Sequence, residues 1–158
     1  MAVGLATDPV AFRRAVPDDL ETIVALLADD PLGRGRENLG TQLDSSYSDA
    51  FAAIERDPNQ LLAVAERGGQ LIGVLQLSFI PGLTRRGMWR GQIEGVRVAA
   101  GERGSGIGRA MLQWAVGECR KRGCGLVQLT SDKRRSGAHS FYEALGFRPT
   151  HEGYKLSL

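Results

Sequence analysis

The sequence predicts a mixed α/β domain built around one sheet, and three observations carry that reading. Segments such as "LLAVAE" and "LIGVLQLSFI" have the short, β-branched and apolar character of strands. Other segments repeat apolar residues at the helical period. A glycine-laced turn, with Gly101, Gly104, Gly106 and Gly108, joins a strand pattern to a helix pattern. The chain has 158 residues, 42% of them hydrophobic and 24% charged, which suits a single packed domain over residues 1–158 and argues against disorder.

The elements follow in order. Residues 1–9 read as a loose tail. "AFRRAV" is a short strand, and Asp18 with Glu21 has capping-box spacing ahead of Leu20, Ile23, Val24 and Leu27 on one helical face. "ADDPLGRGRENLG" is loop-like, and a second helix is expected over residues 42–55. Two strands joined through "RGGQ" form a hairpin, and residues 81–87 connect to a strand in "MWRGQIEGVRV". After the glycine turn, Ile107, Met111, Trp114, Ala115 and Cys119 share one helix face. Arg120, Lys121, Arg122 and Gly123 then supply the cations and stop expected at a helix C-terminus. "GLVQLT" is a buried-type strand, "SGAHSFYEALGF" a short helix, and "YKLSL" a last strand.

Charge and composition exclude several function classes. Twenty basic residues against 18 acidic ones leave a net charge of only +2, without a general footprint for nucleic acid or an anionic membrane. No apolar run is long enough to span a bilayer, and "MAVGLATDPV" lacks the plan of a signal peptide. The expected location is therefore cytoplasmic, with Cys119 and Cys124 reduced. Two histidines and no Cys-x-x-Cys pair give little from which to build a metal site.

The glycine turn can be tested against three phosphate-binding patterns. Gly101 to Gly106 has Walker spacing, but Ile107 stands where that loop needs lysine. A dinucleotide fingerprint begun at Gly104 and Gly106 meets Arg109 where its third glycine belongs. What remains is Arg103-x-x-Gly106-x-Gly108-Arg109 opening a helix. Glycines let the chain turn tightly and expose its N–H groups. The helix N-terminus adds unpaired donors and partial positive charge, and the two arginines add more. Together these suit a pyrophosphate.

With these residues in hand, the sequence resembles the GNAT superfamily of acyl-CoA-dependent N-acetyltransferases. The resemblance runs from "AFRRAVPDDLETIVALL" to the C-terminus and is strongest in "IEGVRV…RGSGIGRAML" and "LTSDKRRSGAHSFYEALGF". It implies a mostly antiparallel twisted sheet, flanked by about four helices and splayed between the strand before the glycine turn and the next strand. It also implies acetyl-CoA as acyl donor, with the backbone of Val96, Arg97 and Val98 on the pantetheine arm. Arg103 and the amides of Gly104, Ser105, Gly106, Ile107, Gly108 and Arg109 would lie at the pyrophosphate. Seven residues before Tyr142, where the family often has a cofactor-contacting asparagine, this chain has Arg135, so that contact is altered or made by charge. Family members also associate through strand edges or the C-terminal strand, which implies a possible homodimer.

Acetyl transfer needs a neutral amine, donors for the developing oxyanion and a proton for the departing thiolate. By resemblance Tyr142 is the candidate donor to sulfur, the alternative being a packing tyrosine. Glu94 is the candidate base, directly or through water. Strand alternation puts Gln92, Glu94 and Val96 on one face if no bulge intervenes. Some relatives carry their catalytic glutamate at the position of Gln92, so a water chain remains the alternative to Glu94. Asp132 and His139 are weaker acid–base candidates.

The acceptor is less legible. The segment between the first two helices, a wall of the acceptor site in this family, carries Asp29, Asp30, Glu37 and Asp44 with Arg34 and Arg36. "MWRGQIEGVRV" and the chain ending are similar to aminoalkylphosphonate N-acetyltransferases, and the "IEGVRV…RGSGIG" block to glucosamine-phosphate N-acetyltransferases. That similarity makes Arg85, Arg86, Lys133 and Arg134 candidate anchors for an oxyanion. The leading expectation is a small-molecule N-acetyltransferase working in a ternary complex. A protein N-terminal or lysine acetyltransferase and a non-catalytic CoA-binding regulatory module are the alternatives.

Overall fold

A computed structural model of the chain describes residues 8–158. All but the last two residues of the expected N-terminal tail lie outside the described residues. Five strands form one sheet in the order β1-β2-β3-β4-β5. They are β1 (Ala11–Arg14), β2 (Gln60–Arg67), β3 (Gln70–Ile80), β4 (Arg90–Val98) and β5 (Leu126–Leu129). The first four pair antiparallel. Gly68 and Gly69, at φ 56° and 78°, make the two-residue hairpin turn between β2 and β3. β5 runs parallel to β4 because a helix, α4 (Ile107–Lys121), carries the chain back across the sheet.

Side-chain alternation sorts the sheet into two faces. On one, Leu61, Leu77 and Ile93 meet Ile107, Met111, Leu112, Ala115 and Cys119 of α4 in the larger core. The approach is close: a Cβ at Gly91 would collide with Cys119 Sγ, and one at Gly73 would lie 2.6 Å from Met111 Sδ. On the other face, Val64 and Val74 are covered by Ile23 and Leu26 of α1 (Leu20–Ala28) and Phe51 of α2 (Ser45–Arg56). α3 (Thr84–Gly87) is a single turn, and α5 (Ser136–Ala144) stands beside the larger core through Phe141 and Tyr142. Arg85 and Arg86 in α3 are left-handed at φ 53° and 62°, a conformation that costs roughly 1–3 kcal/mol for each. Cys119 and Cys124 are free, and burial pushes the Cys119 thiol up to about 11 and raises Cys124 as well.

Three expectations are corrected. Asp18 and Glu21 do not form the capping box; Pro17–Asp19 is a short 3-10 turn, and Asp19 accepts the Val16 N–H at 2.8 Å. The second helix begins at Ser45 because the Asp44 carboxylate accepts the Ser46 N–H at 2.8 Å. "YKLSL" forms no strand among the described residues: Tyr154, Leu156 and Leu158 are all exposed. Its alternation is real, but a strand also needs an edge to pair with. No helix of the described residues is long and apolar enough to cross a membrane.

Candidate active site

β4 changes character halfway along. Arg90 to Ile93 are paired on both sides, with Ile80 to Leu77 of β3 and with Leu126 to Leu129 of β5. From Glu94 onward β4 pairs only with β3, so it parts from β5 and leaves a splayed gap. Gly95 sits at φ +61°, and the β3 register skips between Val74 and Gln76. This is a bulge, and it resets the alternation. Gln92 and Glu94 remain on the α1 side, and Arg97, opposite Val74, joins them. Val96 and Val98 instead pack with the α4-side core. The shared face expected for Gln92, Glu94 and Val96 is therefore wrong at Val96, since the bulge adds one residue to the count. Glu94 is exposed, directly across from Gln76.

The glycine turn lies at the end of this freed half-strand. Gly104 and Gly106 have φ +78° and +88°, which a side chain would strain, and an added Cβ at either would meet nothing within 4 Å. Ala110 N–H donates to Gly106 O at 3.0 Å and closes the first turn of α4. The N–H groups of Gly106, Ile107, Gly108 and Arg109 precede that bond and take no backbone acceptor among the described residues. Ser105 is held down by Glu102 O through both its N–H and its hydroxyl. Buried Ile107 anchors the helix start, while Gly108 faces Phe141 and Val98. Arg109 is exposed. Arg103 donates to Val98 O at 3.2 Å and to the Asp29 carbonyl at 2.8 Å, fastening the turn to the end of α1.

Tyr142 on α5 is half-buried and packs edge-on with Phe141 and Phe147, ring centroids 5.3 and 6.1 Å away. Burial pushes its phenol above the usual range, and Arg135 and Arg97 pull part of that back. The phenol is thus protonated at neutral pH and able to donate. Arg135 grips both oxygens of Asp30 at 2.9 and 2.6 Å, and Arg97 stands 3.7 Å from Asp30 Oδ2. Burial would raise the Asp30 carboxyl, but the Arg135 hydrogen bonds, the Gly33 N–H and the two charges outweigh it and hold the group below the ordinary aspartate range. Burial lowers the Arg97 guanidinium, with Asp30 opposing. Arg97 Nη1 donates to Val96 O at 2.8 Å, and its Nε is buried without a partner among the described residues. This Asp30-centred cluster joins α1, the freed half of β4 and α5 across 105 residues of chain. Asp30 was visible in the sequence as a loop acid; its two arginine partners were not.

Asp132 is held well below the usual carboxylate range by Arg134, whose Nη2 lies 2.8 Å away, so it stays ionised. His139 Nε2 lies 3.1 Å from Asp132 O, a local tie within the β5–α5 loop. Asp29, Arg34 and Glu37 line an open cleft of about 530 Å³ between α1 and the following loop. Asp44 caps α2, Arg36 reaches Asp132 at 4.0 Å, and Lys133 is exposed beside Arg134. Arg85 and Arg86 project from the β3–β4 connection, at the opposite end of β4 from the glycine turn.

Comparison with known proteins fits this geometry. Residues 21–147 match the model of the acetyltransferase (GNAT) family. The chain is 32% identical over 148 residues to the aminoalkylphosphonate N-acetyltransferase of Salmonella typhimurium, covering 93% of this chain and 90% of that protein. It is 36% identical over 90 residues to the glucosamine 6-phosphate N-acetyltransferase of Trypanosoma brucei brucei, 57% of this chain and 59% of the other. A solved structure from Bacillus halodurans C-125, described as a transcriptional regulator, superposes with a TM-score of 0.92 at 47% identity, covering 95% of this chain and 100% of its own.

Proposed function

The chain belongs to the acetyltransferase (GNAT) family, and from that premise we propose that it moves acetyl from acetyl-CoA to the primary amine of a small molecule, by direct attack in a ternary complex. One observation carries the reading: a half-strand freed from its neighbour leads straight into a helix start with a row of unused N–H groups. The freed backbone of Val96, Arg97 and Val98 takes the pantetheine arm as a missing strand would. The amides of Gly104 and of Gly106 to Arg109 hold the pyrophosphate, Ser105 N–H staying on Glu102 O, and Arg103 adds positive charge from its tie to Asp29. Arg135 supplies charge beside the cofactor while holding Asp30. Residues 1–158 act as one acetyltransferase domain.

The amine nitrogen attacks the thioester carbonyl carbon, a C–N bond forms, and the C–S bond breaks. The proton lost by nitrogen passes to Glu94, directly or through water, and the departing sulfur takes one from Tyr142. The two N-acetyltransferase relatives act, by their names, on small amines bearing a phosphorus oxyanion. Arg85, Arg86, Lys133 and Arg134 are the cations from which such an anchor would be drawn. A cytoplasmic location and a homodimer complete the reading, the latter supported by the exposed Tyr154, Leu156 and Leu158 beyond β5.

The test is thiol release from acetyl-CoA across a panel of aminoalkylphosphonates, aminosugars, polyamines and peptides. Amine-dependent release by the wild type, with kcat about 100-fold lower in Tyr142→Phe at unchanged cofactor affinity, is the expected result. A second reading, a CoA-binding regulatory module, is favoured by the description of the Bacillus halodurans neighbour. Coenzyme A binding without release for any amine would select it.

A further inference from the structure

The α1 face of the sheet carries a row of side chains that the acyl-donor site does not use. Gln60 of β2 lies opposite Ser78 of β3, Ser78 opposite Gln92 of β4, and Gln92 opposite Gln128 of β5. One step along, Gln76 stands opposite Glu94. The row one residue away, on the other face, is Leu61, Leu77 and Ile93 in the larger core, with Leu129 packed against it. The helices that cover the α1 face close over Val64 and Val74 and stop short of the glutamines, which remain half-buried to exposed. These side chains are tied together across the strands. Gln60 Oε1 accepts from Gln76 Nε2 at 2.9 Å and from Ser78 Oγ at 3.0 Å, and Gln92 Oε1 accepts from Gln128 Nε2 at 2.7 Å.

From this arrangement, and resting on the acetyltransferase reading above, we propose that Gln60, Gln76, Ser78, Gln92 and Gln128 form the acceptor platform and select amines that carry several hydroxyl groups. Each cross-strand bond consumes one end of an amide and leaves the other, so the row offers donors at Gln60 and Gln92 and acceptors at Gln76 and Gln128. Neighbouring hydroxyls on a polyol present the same alternation of donor and acceptor. The row is uncharged, so it discriminates by hydrogen bonding rather than by charge. An alkyl chain laid on it would strip water from the amides and return no hydrogen bond, which lowers its affinity relative to a polyol.

Position adds a length requirement. Glu94 lies two residues along β4 from Gln92, about 7 Å on the same face. An amine held at Glu94 therefore brings hydroxyls about four or five bonds from its nitrogen onto the row. That describes an amino-polyol or aminosugar acceptor and excludes a short bare alkylamine.

The experiment compares 1-amino-1-deoxyhexitol with hexylamine, equal in carbon count, at saturating acetyl-CoA, in wild type, Gln92→Leu and Gln128→Leu. The expected result is a kcat/KM at least 10-fold higher for the polyol amine in the wild type. In either variant the ratio collapses toward one, chiefly through KM for the polyol, while KM for acetyl-CoA and the melting temperature hold. Gln128 is exposed on the outer strand, so its variant separates recognition from folding. Equal use of the two amines by the wild type, or variants that keep the ratio, overturns the platform and leaves the acetyltransferase reading standing. Absence of turnover with these and all other primary amines overturns both.

Discussion

The two halves of β4 are built from one continuous strand and do opposite work. Arg90 to Ile93 are closed in by neighbours on both sides, and Ile93 is 2% exposed between the sheet and α4. Glu94 to Val98 keep only β3, bend at Gly95 and stand open toward the glycine turn. The first half gains its stability from burial and from a full set of backbone hydrogen bonds. The second gives up one set of backbone partners and opens an edge to a ligand that arrives as a strand, while Val96 O and Val98 O accept from the Arg97 and Arg103 side chains. A strand can thus be core and binding site at once, provided something changes its phase between the two. Here that device is one glycine bulge.

The largest way to test the contrast is to empty the closed half. Ile93→Ala is expected to cost about 3 kcal/mol in denaturant unfolding. The folded fraction should still release thiol normally, since no part of the cofactor gap is touched. A loss of turnover with no loss of stability would erase the distinction. Gly95→Ala acts at the junction. Its added Cβ has room, with Leu27 Cδ2 the nearest atom at 3.8 Å, but φ +61° strains any side chain by about 1–2 kcal/mol. Relief of that strain would straighten the strand and return Glu94 and Arg97 to opposite faces. A KM for the amine raised more than that for acetyl-CoA is the expected signature. The smallest effect concerns the stitch between the open half and α1. The Asp30 carboxyl is held below its ordinary value, about 3.9. An unfolded chain therefore takes up this proton first as pH falls. The stabilisation is present above that ordinary value and disappears as pH drops through the folded one. Asp30→Asn should lower the melting temperature near neutrality by a few degrees and flatten its decline below pH about 4, so that the variant and wild-type curves converge in acid.

What could be read from the sequence divides along the same lines. Local chemistry was legible: the β2–β3 hairpin from its Gly-Gly turn, the face of α4 from its apolar period, and the anion-ready turn from Gly104, Gly106 and the failure of two rival patterns. The bulge was not, because a glycine within a strand marks a bend only when the partner's register skips, and the partner is another segment. The same limit hid Arg97 and Arg135 on Asp30, and the line of Gln60, Ser78, Gln92 and Gln128, whose members lie on four strands. "YKLSL" failed for a related reason, since its alternation names a face but not an edge. The capping error was local and narrower: Pro17 began a 3-10 turn, which shifted the capping acid by one residue to Asp19.

One packing detail reaches beyond architecture. Cys119 lies fully inside the seam between α4 and Gly91, with its thiol pushed up to about 11, and Cys124 is shifted the same way. At neutral pH neither sulfur is an appreciable thiolate, the form that reacts with peroxide, disulfides and alkylating agents. Cys119, buried as well as protonated, should therefore resist oxidants and electrophiles. Toward thiol-specific dyes Cys119 should stay silent, and the half-exposed Cys124 sets the background above which colour comes from the sulfur released by the substrate.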